Sequence, residues 1–427
     1  MFNKMHKKFL SLVCLGLAAV MLFAGCAPDT KPPELLPPDY IEITGEDLMK
    51  GITPSNINAV AIDNAFTRAA ADFSVELFKK TIADDKNSLI SPTSVLLALA
   101  MTANGADKTT LAQMEAVLGG KLKLQELNEY LYSYVKNLPS EEKSRLEIAN
   151  SIWFKDKGFT ANRDFLQTNA DYYGADAYQA PFDDKTVDDI NNWVKEKTDG
   201  MIDSILDEIP DEAIMYLINA IMFDAEWAKK YEDVSDGQFT AYNGAKRTVK
   251  FMSSDENIYL HDDGAKGFIK PYFGNRYSFA AILPDANIPI NSYVASLTGE
   301  KLMNILNSAV TAKVTTAMPK FEYDYDITMN NALIEMGIKD AFDSSKANFS
   351  KTGSAGGNIF IAEVKHKAFI SVSELGTRAA AVTSVEKGAT GAPGYQYTVR
   401  LDRPFVYAII DNATNLPLFL GTFITAG

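Results

Sequence analysis

The sequence predicts an α+β domain. Three observations carry this: apolar residues at helical spacing fill the first half of the chain, long β-rich runs fill the second, and no internal repeat or second linker interrupts residues 65–427. From Ala65, residues Phe66, Ala70, Phe73, Leu77 and Phe78 share one helical stripe that stops before Asp84-Asp85-Lys86-Asn87. Ser91 then offers an N-cap and Pro92 a first-turn residue for a helix with Val95, Leu96, Leu99 and Ala100 inward. Shorter helical stretches are expected at Leu111–Leu118, Leu124–Lys136, Arg163–Tyr173 and Val187–Thr198. Strands are expected at Tyr216–Phe223, Lys246–Met252, Ser278–Leu283, Lys313–Phe321, Val364–Ser373 and Tyr395–Leu401. The pair Phe405–Asp411 and Leu418–Ile424 flanks Asn412-Ala413-Thr414-Asn415 and reads as a closing hairpin.

Composition narrows the function. At 427 residues, 47% hydrophobic and 22% charged, the chain is too apolar to be disordered throughout. Its 41 basic and 55 acidic residues give a net charge of -14, which excludes a surface built to neutralise nucleic-acid phosphates. The two cysteines, Cys14 and Cys26, allow neither a disulfide framework nor a cysteine zinc site in the body.

The N-terminus reads as an address. Lys4, Lys7 and Lys8 precede an apolar run from Phe9 to Ala24, the order of a secretory signal. Its end, Leu22-Phe23-Ala24-Gly25-Cys26, resembles a bacterial lipobox, with Cys26 as the lipidation site and Phe23 in place of the usual Leu. Loss of residues 1–25 removes three lysines and no acid, taking the charge from -14 to -17, so a tether is needed to hold such a protein at an anionic membrane. Residues 26–60, with Pro28, Pro32, Pro33, Pro37, Pro38 and Pro54, have the composition of an extended spacer, although Tyr40–Ile43 is apolar enough to pair locally. The globular domain is expected at residues 61–427.

Apparatus for catalysis is missing from the pattern. Beyond the signal only His261 and His366 supply an imidazole, and there is no G-x-S-x-G elbow, H-E-x-x-H or phosphate loop. Asp324-Tyr325-Asp326 reads as an acidic turn rather than a metal site. The chain is therefore expected not to be an enzyme and to need no metal or other cofactor.

The segment after Val364–Ser373 is unusual. From Glu374 to Arg403 it is rich in small residues, yet Thr377–Glu386 contains neither Gly nor Pro. As a strand, Thr377, Ala379, Ala381, Thr383 and Val385 would share one face, and Arg378, Ala380, Val382, Ser384 and Glu386 the other. A loop with the pattern of an insertable strand resembles the hinge and reactive-centre loop of serpins. Asn87–Ser94 is similar to the serpin helix-B entry, Ile190–Val194 with Lys197–Gly200 to helix F, and Leu217–Ala220 through Trp227 to a sheet-A strand. Pro271-Tyr272, Ile282–Asp285, Met318–Phe321, His366–Ala368 and Arg403–Phe405 complete the resemblance.

That resemblance implies a helical bundle with three β-sheets, including a large central mixed sheet A, and an exposed reactive-centre loop. It implies a suicide inhibitor: a serine protease cleaves the loop, forms an acyl-enzyme, and is trapped when the loop inserts into sheet A. The alternative is a non-inhibitory serpin acting as a binding or chaperone module. Family counting places the scissile bond sixteen positions after Glu374, at Thr390–Gly391, with Ala389, Ala392 and Val385 as alternatives. These small residues suit an elastase-like or subtilisin-like protease.

Gly376, Thr377, Arg378, Ala379, Ala380, Ala381, Val382 and Thr383 match the hinge, with Gly376 expected to let the chain turn and Thr377 to be the first side chain buried. Ser91, Ser94, Asn219 and His366 match the shutter, and Trp227, Lys320 and Glu374 the breach. Arg378 stands where Glu is common, on the solvent face of an inserted strand. The implied partner is a target protease, held covalently by a monomeric inhibitor. The N-terminus implies export and lipid anchoring on the outer face of a bacterial membrane or cell surface, or extracellular release.

Overall fold

The helix that opens the body, Asn64–Thr81, starts where Asp63 accepts hydrogen bonds from the backbone N–H groups of Ala65 and Phe66, and it buries the predicted stripe of Phe66, Ala70, Phe73, Leu77 and Phe78. This is a computed structural model that describes residues 43–210, 213–378 and 396–426. The second helix, Pro92–Ala103, carries the expected Ser91 cap and is buried on every face, so it forms a central post rather than a surface helix. Helices Lys108–Leu118, Leu124–Lys136, Arg163–Tyr173 and Asp184–Lys197 follow close to their expected places. Three shorter helices, Ile290–Ala295, Gly299–Asn307 and Asn330–Met336, lie within the β-rich half where the sequence pattern did not single them out.

Among the described residues the strands form three sheets. The first is seven-stranded and mixed, in the order Glu46–Asp47, Asp176–Ala180, Ser144–Lys155, Met215–Glu226, Gly376–Thr377, Glu363–Val372 and Phe321–Thr328. The second has nine strands and includes the predicted hairpin Phe405–Asp411 with Pro417–Phe423. A two-stranded ribbon, Thr160–Ala161 with Gly353–Ser354, is the third. The main core fills the space between the helices and the two large sheets. A second cluster, including Trp153, Ile190, Trp193, Tyr216 and Ile218, clamps helix Asp184–Lys197 to the outer face of the seven-stranded sheet.

Two expectations need correction, and one strand was not expected. Asp324-Tyr325-Asp326 is not a turn but part of strand Phe321–Thr328: Tyr325 is buried with its hydroxyl on Thr81 O, and the two aspartates alternate outward. Strand Ser144–Lys155, central to the seven-stranded sheet, escaped notice because its buried positions mix Ser, Asn and apolar residues. The proline-rich stretch does not run free to residue 60. Thr44 and Gly45 donate to Asp189 on the clamped helix, Glu46–Asp47 pairs with Asp176–Ala180, and Leu48, Met49 and Ile52 pack on the core. A buried carboxylate accepting three hydrogen bonds outweighs the spacer-like composition there.

Candidate functional site: a parted pair of central strands

Met215–Glu226 and Glu363–Val372 run parallel and are paired only at their lower ends, from Glu363↔Tyr216 to His366↔Asn219. Above that point, among the described residues, no ladder joins 220–224 to 367–371. The gap is closed at the top by Gly376–Thr377, where Thr377 pairs with Ala225 on one side and Val372 on the other. The structure therefore holds a slot five residues long, roughly 17 Å at ~3.3 Å per residue, in the middle of a sheet. Unpaired strand edges in a sheet interior are a template for another strand.

The four predicted shutter residues meet at the foot of this slot. Asn219 Oδ1 lies 2.6 Å from Ser94 Oγ and 3.3 Å from His366 Nδ1, and its Nδ2 donates to Ser94 O at 3.1 Å and Asn150 Oδ1 at 2.7 Å. His366 Nε2 accepts the Ser91 backbone N–H at 3.1 Å, so the Nδ1–H tautomer satisfies both ring nitrogens. Every member is buried, and burial drives the imidazole down to about 4. The cluster ties the central helix to the two strands where they part. Asn150 belongs to it and was not legible, because its own strand was not recognised.

The predicted breach residues meet at the top. Trp227 is buried, donates Nε1–H to Ser373 O at 2.8 Å, and stacks on Tyr272 with centroids 4.4 Å apart. The Tyr272 hydroxyl is 2.5 Å from Thr377 Oγ1, so the first residue in the slot is fixed by a side chain as well as by the ladder. Trp227 N and Tyr231 N bond Leu375 O and Glu374 O. Lys320 meets Glu374 at 2.7 Å and holds its carboxyl below the usual range, but both are about a third exposed, so the pair contributes at most about 1 kcal/mol.

Beneath them lies a pair that sequence reasoning missed: Lys270 is 2.6 Å from Glu256, both buried, with its ammonium 4.1 Å from the Tyr231 ring centroid and 5.5 Å from that of Trp227. Burial pushes the Lys270 amine down while Glu256 pulls it back up. No local signal marked either residue, since Lys246–Asp262 carries several other charges and Ala265–Pro271 also holds Lys266.

The hinge departs from expectation in its reason. Gly376 does not adopt a left-handed backbone; a methyl group there would lie 2.0 Å from Ala225 O, so close approach of the strand requires the glycine. The turn out of the sheet falls instead at Arg378, with φ 52°, which costs a non-glycine residue roughly 1–2 kcal/mol. Thr377 is buried, as expected. Ala379, Ala380, Ala381, Val382, Thr383, Thr390, Gly391 and Cys26 lie outside the described residues.

The model of the serpin (serine protease inhibitor) family matches residues 68–426. The native-state crystal structure of the thermophilic serpin tengpin is 54% identical, with TM-score 0.86 over 89% of this chain and 99% of that one. The latent-state structure is 51% identical, with TM-score 0.78 over 87% and 100%. Leukocyte elastase inhibitor A of Mus musculus is 31% identical across 82% of this chain and 96% of its own. With a mixed central sheet, a parted strand pair and a loop root already between them, the chain belongs to the serpin family.

Proposed function

We propose that this protein inhibits serine proteases as a suicide substrate, through cleavage of the segment after Arg378 and its insertion between Met215–Glu226 and Glu363–Val372. One observation carries this reading: Thr377 already occupies the top of a slot whose remaining edges are unpaired among the described residues. Each further residue drawn in gains ladder hydrogen bonds on both sides, so the uncut fold holds unspent stabilisation. The pair of native and latent structures for a chain half identical to this one supports two folded states of one sequence.

Thr390–Gly391 is the proposed scissile bond, and its small residues favour an elastase-like or subtilisin-like target. Cys26 is proposed to carry the lipid, with export to the cell exterior. Incubation with a panel of serine proteases should give a denaturant-stable complex with an elastase-type enzyme, and the released C-terminal peptide should begin at Gly391. Turnover of the inhibitor with no complex on any enzyme would refute the trap. The anchor is checked by feeding radiolabelled fatty acid, which should label the wild type and not Cys26→Ser.

A further inference from the structure

The outer face of the seven-stranded sheet carries a row of side chains level with Arg378. Arg145 pairs in register with Asp224, and one step beyond the Thr377↔Ala225 pair Asp224 stands opposite Arg378. On the other flank the Arg378 backbone N–H donates to Ser371 O at 2.7 Å, Ser371 pairs with Glu322, and Ser371 Oγ donates to Glu322 Oε2 at 2.8 Å. Across five strands the order is Arg145, Asp224, Arg378, Ser371, Glu322, so the position Arg378 would take as a strand residue has Asp224 beside it on one flank, and Ser371 on the other with Glu322 one strand further out.

Arg378 has not reached that position. Its backbone is left-handed, its Nη2 makes a 3.4 Å contact with Asp199 O, and its Nη1 is buried without a hydrogen-bond partner among the described residues. Asp224 is half-buried and forms no ion pair within 4.0 Å with Arg378 among the described residues. Burial pushes its carboxyl up, with Arg378 and Arg145 opposing and Asp199 and Glu226 reinforcing the shift.

We propose that Arg378 is a positioning residue for strand insertion: Asp224 beside it, with Glu322 one strand further on the other flank, makes a prebuilt acidic row that receives its guanidinium, and this pairing fixes the register in which the following residues enter the slot. A one-residue slip would place the Arg378 side chain on the buried face beside Tyr272. The inference rests on the insertion reading above and deepens it, by explaining how a cation replaces the acid usual at this place.

The test follows insertion directly. The full chain is nicked by a protease that does not form a complex, and the gain in thermal stability is timed. Wild type should insert more slowly as salt is raised. Asp224→Arg, which sets like charges opposite one another, should slow insertion roughly tenfold. Asp224→Asn should slow it less and tests the same point if the reversal disturbs the uncut fold. The double change Arg378→Glu with Asp224→Arg should restore the rate to near wild type. Nicked wild type that gains no stability would overturn the insertion reading and this inference with it. A stability gain at the wild-type rate in Asp224→Asn and Asp224→Arg, or a double variant no faster than the slower single, would overturn the charge-register inference alone.

Discussion

His366 can hold only one protonation state in this fold. Both ring nitrogens are committed, Nε2 as acceptor from Ser91 N–H and Nδ1 toward Asn219 Oδ1, so a second proton would face a donor. Unfolded, the imidazole titrates near 6.5; folded, near 4. Between those values the unfolded chain binds the extra proton. The contribution to stability is therefore intact above pH 6.5, falls as pH drops, and levels off below 4, for a loss on the order of 3 kcal/mol. Urea midpoints measured from pH 7.5 to 4 should fall less steeply in His366→Gln than in wild type; equal slopes would exclude His366 as the source. Thr377 is the matching residue at the other end of the slot, packed between Ala225 and Val372 with its hydroxyl on Tyr272. Thr377→Arg forces an unpaired guanidinium into that space, at a cost of several kcal/mol on burial. The variant should be cleaved by the target without being retained, read as a steep rise in the moles of inhibitor consumed per mole of enzyme.

At the scale of elements, the top of the slot is supported by strands that meet only through tertiary structure. Lys270 and Glu256 lie on adjacent segments, Ala265–Pro271 and Lys246–Asp262, and their ion pair backs the Trp227 and Tyr231 rings. Glu256→Ala would leave a buried ammonium without its partner and should cost about 3–5 kcal/mol. Replacing both members with Met should recover most of it, and comparison of denaturant midpoints for the single and double variants measures the difference. Such support was poorly legible in advance. Ser91 and Trp227 stood out because each sits in a local motif, and the N-cap at Ser91 is a matter of three neighbouring residues. Lys270 and Glu256 acquire meaning only when two strands align. Asn150 was hidden for a related reason: strand Ser144–Lys155 has buried residues on both faces, so period-two alternation is blurred and a polar residue there looks like a loop signal. The glycine at 376 was legible as necessary but not why, since the clash with Ala225 O is a fact of the assembled sheet.

The whole molecule is a folded protein whose seven-stranded mixed sheet is parted at its middle among the described residues. The two ends of that gap are sealed by different chemistry, a neutral polar cluster around His366 and Asn219 below and an aromatic and ionic cluster around Trp227 and Thr377 above, and among the described residues the stretch between is unpaired. Thr377–Gly388 holds twelve residues, more than the five-residue stretch takes, so entry of the whole segment would also part the short ladder that Glu363–His366 makes with Tyr216–Asn219. At about 1 kcal/mol net per ladder hydrogen bond, with bonds to both flanking strands, full entry gains on the order of 10 kcal/mol or more. The loop cannot spend that gain while its far end is fixed: strand Gln396–Arg400 is paired with Val310–Pro319 in the other sheet, and insertion would have to stretch the segment that joins them. Cutting one bond near Thr390 removes the restraint without removing any packed side chain. The nicked protein should therefore melt tens of degrees higher than the intact one, with new hydrogen-exchange protection at 220–224 and 367–371. A chain nicked near Thr390 that unfolds at the same temperature as the uncut one would mean that the gap in the sheet is a resting feature and stores nothing.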